Sequence, residues 1–300
     1  MATIAVLGNA GVDVTIRGAL PSEGAGGDLW TDRNVRFLDE APTAVLAGNG
    51  GAAAYVLGRL GQAVTLVTSL GEDPFGQLAR RQLAEANVSI RSLPDAQTPV
   101  NVIGVDEAGG RSSAYFTGSA IPWKVVLEDE FSWVYAAGFG QVGSDDLEVL
   151  GDVFLRVRES GGNIAFDPGP WLTRDPFLSH LREIIHQVDC LLGTEEELAA
   201  LSSKADPDAI LDGLMAYGPT RVAVKRGREG AIVASGDERV QQSVEPVDGA
   251  HSVGAGDCFN AAFLSACVDG ASLREAVSSA VALSRRAVVS GRGSTGAFGS

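Results

Sequence analysis

Hydrophobic positions along the chain follow two periods. Ile4–Gly8, Val64–Ser69, Val100–Val105, Trp133–Ala137, Asn163–Asp167, Cys190–Leu192, Arg221–Lys225 and Ala231–Ala234 are short apolar runs rich in β-branched residues, which predicts strands. Several are continuous and stop at Gly or Asp, the pattern of strands buried on both faces. Between them the apolar positions recur at helical spacing. Leu147, Leu150, Phe154 and Val157 form one stripe after Ser144 and Asp145, a pair suited to starting a helix. Gly51–Leu60, Phe75–Ala86, Pro207–Tyr217, Asp257–Val268 and Leu273–Val289 show the same period. Strand–helix alternation without a linker predicts one α/β domain over residues 1–300, a three-layer, doubly wound, mainly parallel sheet. Two segments break the pattern. Thr15–Val45 is rich in Gly, Asp and Arg, and Thr98–Gly118 reads as a hairpin turning at Asp106–Gly110. Insertions at about 15–45 and 98–118 could pair into a small β lid over a site at the strand ends.

Charge narrows the partners. Thirty-eight acidic against 23 basic side chains give a net charge of −15, which repels nucleic-acid phosphates and anionic lipid surfaces. Met1-Ala2-Thr3 leads straight into Ile4–Leu7 without a basic and then apolar leader, and no apolar run reaches spanning length. A soluble, cytoplasmic protein is the expectation. Cys190, Cys258 and Cys267 are odd in number and lack a CxxC spacing, so they read as buried thiols of a reducing compartment.

The sharpest chemical signal is Ser252-Val253-Gly254-Ala255-Gly256-Asp257-Cys258-Phe259-Asn260 at the start of a helix. Gly254 and Gly256 leave the backbone bare, and the helix behind aims N–H groups and its positive end at an anion. A carboxylate repels that anion unless it has a task, and one task fits: Asp257 accepts the proton of a hydroxyl attacking a phosphoryl group. The helix end is expected to keep Asp257 ionised and only weakly basic.

Gly254–Asp257 resembles the C-terminal signature of the ribokinase-like sugar kinases, the PfkB family, and further marks follow in order. Ala47-Gly48-Asn49-Gly50-Gly51 with Leu57–Gly61 is similar to the N-terminal Gly-rich signature, and Gly71–Gly76 to the stretch that follows it. Gly8–Asp13 matches the first strand with its substrate-facing Asp; Phe166-Asp167-Pro168 and Lys225–Gly230 match sheet-end and nucleotide-loop segments. The resemblance spans essentially the whole chain. It implies an ATP-dependent kinase acting on a hydroxyl of a small sugar or sugar-like molecule, or on a nucleoside. It implies Asp257 as general base, with the backbone of Gly254, Ala255 and Gly256 neutralising the transferring phosphoryl. Asp13, placed at the end of strand one, with Gly48 and Asn49, would bind the acceptor. Lys225, Gly227, Gly230 and Val281 would line the nucleotide, and Glu197 would order the waters of Mg²⁺. Plainer roles stand beside these: a turn for Asp13, an exposed cation for Lys225, helix core for Val281, an acidic first helical turn for Glu195–Glu197. A homodimer through the lid is a further expectation.

Departures matter too. His251-Ser252 stand where the family usually has Asp-Thr, which removes a hard oxygen ligand and argues against activation by K⁺. Thr194 replaces the usual Asn, Ala47 the first signature Gly, and Ala52 an Asn of the sugar-specific members. These leave the sugar open and keep a catalytically silent binding protein as an alternative. A dinucleotide-binding dehydrogenase lacks its fingerprint: Gly8-Asn9-Ala10-Gly11 gives no G-x-G-x-x-G.

Overall fold

The computed structural model describes residues 3–18, 38–106, 110–124, 129–137, 144–169, 177–247 and 253–299. Strand β1 (Thr3–Leu7) sends Ile4 and Val6 into one core and Ala5 and Leu7 into another, which is why its sequence is apolar without alternation. Parallel partners flank it, β4 (Ala63–Thr68) on one side and β8 (Trp133–Ala137) on the other. Beyond β4 lies β5 (Ser89–Ser92); beyond β8 come β9 (Asn163–Asp167), β10 (Cys190–Thr194) and β11 (Arg221–Lys225), all parallel. The antiparallel strands β12 (Ala231–Ser235) and β13 (Glu238–Gln242) close one edge of this nine-stranded sheet.

Helices cover both faces. One core packs α1 (Asn49–Arg59), α2 (Pro74–Glu85), α7 (Ala255–Val268) and α8 (Leu273–Ser290). The other packs α3 (Ser144–Glu159), α4 (Phe177–Ile184), α5 (Glu195–Ser202) and α6 (Pro207–Met215). The three-layer, doubly wound reading therefore holds. Strand order reverses at β1, so the crevice beyond the carboxyl ends of β1 and β8 is the expected ligand site of such a sheet.

A second sheet of four strands runs in the order β3 (Thr43–Ala47), β2 (Gly11–Arg17), β6 (Val100–Val105), β7 (Arg111–Phe116). The hairpin expected over 98–118 is present, with Val100 opposite Phe116 and Val105 opposite Arg111. The first insertion is different at its start. β1 ends at Leu7 and β2 already begins at Gly11, so Asp13 lies within the small sheet and not at the end of strand one. Two bonds fix this early turn: the Asn49 N–H donates to Asn9 Oδ1 (3.1 Å), and the Gly51 N–H to the Asn9 carbonyl (3.0 Å). Residues 19–37 of that insertion lie outside the described residues. Val12 and Leu46 root the small sheet in the core. The Gly71–Gly76 segment roots it again, because Thr98 Oγ1 accepts the Gly71 N–H (2.9 Å) while Asp73 caps α2 through Phe75 and Gly76.

Candidate active site

Helix α7 begins at Ala255, two residues before the predicted start, with Gly254 as its cap. Gly254 has φ of 74° and no side chain to cap the helix, and a Cβ there would stand 2.5 Å from the Ser294 nitrogen. Only glycine fits. Without a side-chain cap, the first-turn N–H groups stay available to a ligand, at the positive end of the helix.

Two cavities meet at this point. The smaller, about 490 Å³, is lined by Lys225, Gly227, Gly230, Ala255, Gly256 and Val281 among others. The larger, about 1140 Å³, is lined by Asp13, Gly48, Arg111, Gly254 and Asp257 and by the Gly291–Gly296 turn. The helix start divides them, with Ala255 and Gly256 facing one and Gly254 and Asp257 the other. The sequence-predicted nucleotide residues thus gather in one cavity, and Asp13 and Gly48 share the other with Asp257. Gly48 takes φ of 85°, and a Cβ on it would lie 2.6 Å from the Asn9 carbonyl oxygen. Asn49 and Glu197 line neither cavity. Asn49 opens α1 through its bond to Asn9. Glu197 closes a capping box at α5, accepting the Thr194 N–H (2.7 Å) while Thr194 Oγ1 accepts the Glu197 N–H (3.2 Å).

The electrostatics correct one expectation. Burial pushes the Asp257 carboxyl up to about 7; Lys225 opposes the shift, and Asp167 and Asp13 add to it. The helix end does not hold Asp257 at an ordinary carboxylate value, because desolvation outweighs the dipole. Burial also raises Asp13, against a hydrogen bond from Asn101 and the charge of Arg111. Glu197 is raised by burial and by Asp167, against Lys225 and the Thr194 bonds. Burial disfavours the Lys225 ammonium, but Asp167, Glu197 and Asp257 more than offset it, so its pKa rises.

Lys225 is no exposed turn cation. Its Nζ lies 2.7 Å from Asp167 Oδ2, with the two side chains 12% and 4% exposed. Asp167 also accepts from Asn260 Nδ2 and, through Oδ1, from the Gly169 N–H (2.9 Å). Asn260 Nδ2 reaches the Tyr135 hydroxyl (3.0 Å), and Asn260 Oδ1 is buried without a hydrogen-bond partner. The neighbouring Glu195 has a separate partner, Arg226 at 2.9 Å. Val281 is buried in the core and also lines the smaller cavity.

Sequence reasoning left Asp167, Asn260, Tyr135, Asn101 and Arg111 without roles. Asp167 and Asn260 carried a signal, an acid closing an apolar strand and an amide within an apolar helix. Asn101 and Arg111 carried none, since only strand pairing sets Asn101 opposite Asp13 and brings Arg111 into the same small sheet. Among the described residues no group of three or more His, Cys, Asp or Glu side chains could hold a metal by itself. The oxygens present still suit Mg²⁺, which takes few protein carboxylates and keeps waters and substrate phosphates. One Glu197 oxygen is free of the Thr194 N–H, and the partnerless Asn260 Oδ1 belongs to the same cluster. His251 lies outside the described residues.

Residues 32–297 match the pfkB family carbohydrate kinase domain. Fructokinase of Salmonella typhimurium is 26% identical over 254 residues, 79% of this chain and 83% of that protein. A nucleoside kinase of Methanothermobacter thermautotrophicus is 30% identical over 232 residues, 75% of this chain and 74% of that protein. Ribokinase of Arabidopsis thaliana, solved with ribose and ATP, superposes with a TM-score of 0.77 at 22% identity, covering 99% of this chain and 97% of that one. With two cavities meeting at the Gly254–Asp257 turn and a matching domain along most of its length, the chain belongs to the PfkB family of carbohydrate kinases, phosphotransferases that act on a hydroxyl acceptor.

Proposed function

We propose that this kinase transfers the γ-phosphoryl group of ATP to a hydroxyl of a small sugar or sugar-like molecule, with Asp257 as general base. The observation that carries the reading is the division of the two cavities by the α7 N-terminus, Asp257 on the acceptor side and Lys225 with Gly256 on the nucleotide side. A hydroxyl held by Asp13 and the Gly48 backbone in the larger cavity can lose its proton to Asp257. A carboxylate raised to about 7 is better matched to that transfer near neutral pH than an ordinary one. The N–H groups at the helix start and the Lys225 ammonium stand where charge spreads over the moving phosphoryl oxygens. Mg²⁺, held through waters on Glu197, would neutralise the nucleotide's phosphates; an E. coli relative of this fold was solved in complex with ATP and Mg²⁺. The acceptor is taken as a sugar, since fructokinases of two further species and a 2-dehydro-3-deoxygluconokinase of Bacillus subtilis are also similar. A nucleoside acceptor is the second reading, favoured by the 30% identity to a nucleoside kinase.

The small sheet acts as a lid on the acceptor cavity, to which Asp13, Ile103, Val105 and Arg111 contribute. Its outer strand β7 is exposed throughout, and that open edge offers a second copy of the chain a pairing surface. The deciding experiment measures ADP release across pentoses, ketohexoses, sugar acids and nucleosides, with and without K⁺. Acceptor-stimulated ADP release by the wild type, absent in Asp257→Asn, is the expected result. ADP release with no acceptor in the panel, or an Asp257→Asn variant as fast as wild type, overturns the reading.

A further inference from the structure

We propose that Asp167 is a positioning residue for phosphoryl transfer, holding the Lys225 ammonium at the wall between the two cavities where the terminal phosphate of the nucleotide must lie. The proposal rests on the assignment of the smaller cavity to the nucleotide.

The geometry starts in the sheet. Asp167 ends β9 and Lys225 ends β11, and β10 lies between them. Adjacent strands stand about 4.8 Å apart, so strand pairing does not bring these residues together. The contact is made by a long lysine reaching across the end of β10 to a short acid. Asp167 is anchored on its own side by the Gly169 N–H and by Asn260, whose amide also contacts Tyr135. The acid is therefore fixed, and the lysine is the part aimed.

What the lysine is aimed at is the helix start. Lys225 lines the smaller cavity, and its Nζ is 3.7 Å from where a Cβ on Gly256 would stand. An ammonium carries three N–H donors. Among the described residues, Asp167 is its one hydrogen-bond partner, which leaves donors for phosphate oxygens bound at the same wall. An untethered lysine would hold its charge over many rotamers, and the acid restricts it to one.

Folding alone gives no reason for the pair. A buried ion pair is often no more stabilising than apolar residues of the same volume. Here it sits at the carboxyl ends of β9 and β11, whose other buried residues are apolar. Asn260 Oδ1 is also left buried and partnerless, and a cluster built only for stability would have satisfied that atom.

The test is a double-mutant cycle on the full chain with Asp167→Asn, Lys225→Met and the double variant. It reads kcat/KM for ATP, kcat/KM for the acceptor, the ATP dissociation constant by calorimetry, and the unfolding temperature. Asp167→Asn is expected to lower kcat/KM for ATP roughly 10²-fold, the scale of a misplaced group, and to weaken ATP binding. The acceptor KM should hold. In the Lys225→Met background the same change should add less than about 2-fold, because the acid acts through the lysine. The double variant removes both charges, so it should unfold near the wild-type temperature while staying impaired toward ATP. Asp167→Glu, which keeps the charge, should recover part of the loss. Losses that multiply in the double variant overturn the proposal. So does an Asp167→Asn variant that loses only unfolding temperature, with kcat/KM for ATP unchanged. A Lys225→Met variant with wild-type ATP binding and turnover overturns the nucleotide assignment as well.

Discussion

Asp257 sits where two influences oppose each other, the helix end and Lys225 favouring its charge and burial with Asp167 and Asp13 disfavouring it. Burial prevails, and that has consequences of definite sign. A base must be unprotonated to work, so with ATP held constant kcat/KM for the acceptor should fall as pH drops through about 7. A pH–rate profile checks this; a flat profile down to pH 5 would refute it. Asp257→Asn should lower kcat about 10²–10⁴-fold, the scale for losing a positioned base. The same substitution should raise the unfolding temperature. Because the folded pKa lies above the ordinary value of 3.8, the folded state holds a proton that the unfolded chain releases, and stability declines as pH rises from about 4 through 7. Asparagine escapes that loss, so the gain over wild type should be present at pH 8 and absent at pH 4, as calorimetry at the two values would reveal. The place of Asp257 in the first turn of a helix was legible in the sequence, since Gly254, Gly256 and a following helix are local. Its pKa was not, because Lys225, Asp167 and Asp13 reach it from three separate strands.

Among the elements, strands buried on both faces were the legible ones: β1, β8 and β9 carry their pattern in their own residues. β5 reads Ser-Ile-Arg-Ser and β13 Glu-Arg-Val-Gln-Gln. Both lie at the edges of the large sheet, where pairing with a neighbour outweighs the side chains' own preference. The early start of β2 was hidden for a similar reason, since its register comes from β3 and β6. Helix α5 sets a capping role shown in the structure beside the site role proposed for the same residue. Thr194 and Glu197 cap each other, so the departure from the family's Asn has a local explanation in helix starting. Two substitutions separate the tasks. Glu197→Gln keeps an oxygen for the Thr194 N–H and removes the charge, so stability should change little while the Mg²⁺ needed for half-maximal rate rises. Glu197→Ala opens the box as well, and should also lose about 1 kcal/mol of stability. Equal Mg²⁺ requirements in wild type and Glu197→Gln would reduce Glu197 to a capping residue.

At the scale of the whole molecule the two sheets have different footing. Among the described residues the large sheet is enclosed by eight helices and two cores, whereas the small one is held by Val12, Leu46 and Thr98, buries Ile103 and Val105, and exposes all of β7. A segment with few buried contacts opens at low free energy, so the proposed lid motion is carried most readily by β7, the one strand of the small sheet exposed throughout among the described residues. Besides Arg111, a hydrogen bond ties this outer strand inward: Asn9 Nδ2 donates to the Tyr115 hydroxyl at 3.1 Å, and Asn9 in turn fixes the start of α1. Closure over the acceptor cavity would exclude water that competes for the γ-phosphoryl. Amides of Val100–Val105 and Arg111–Phe116 should therefore gain hydrogen-exchange protection when the true acceptor saturates the enzyme. Tyr115→Phe, which removes the hydroxyl at the Asn9 contact, should reduce that gain and raise acceptor-independent ATP hydrolysis relative to transfer. Equal exchange in free and acceptor-bound protein would show instead that the small sheet is a fixed wall, and its exposed strand would then serve only as a surface for a second copy.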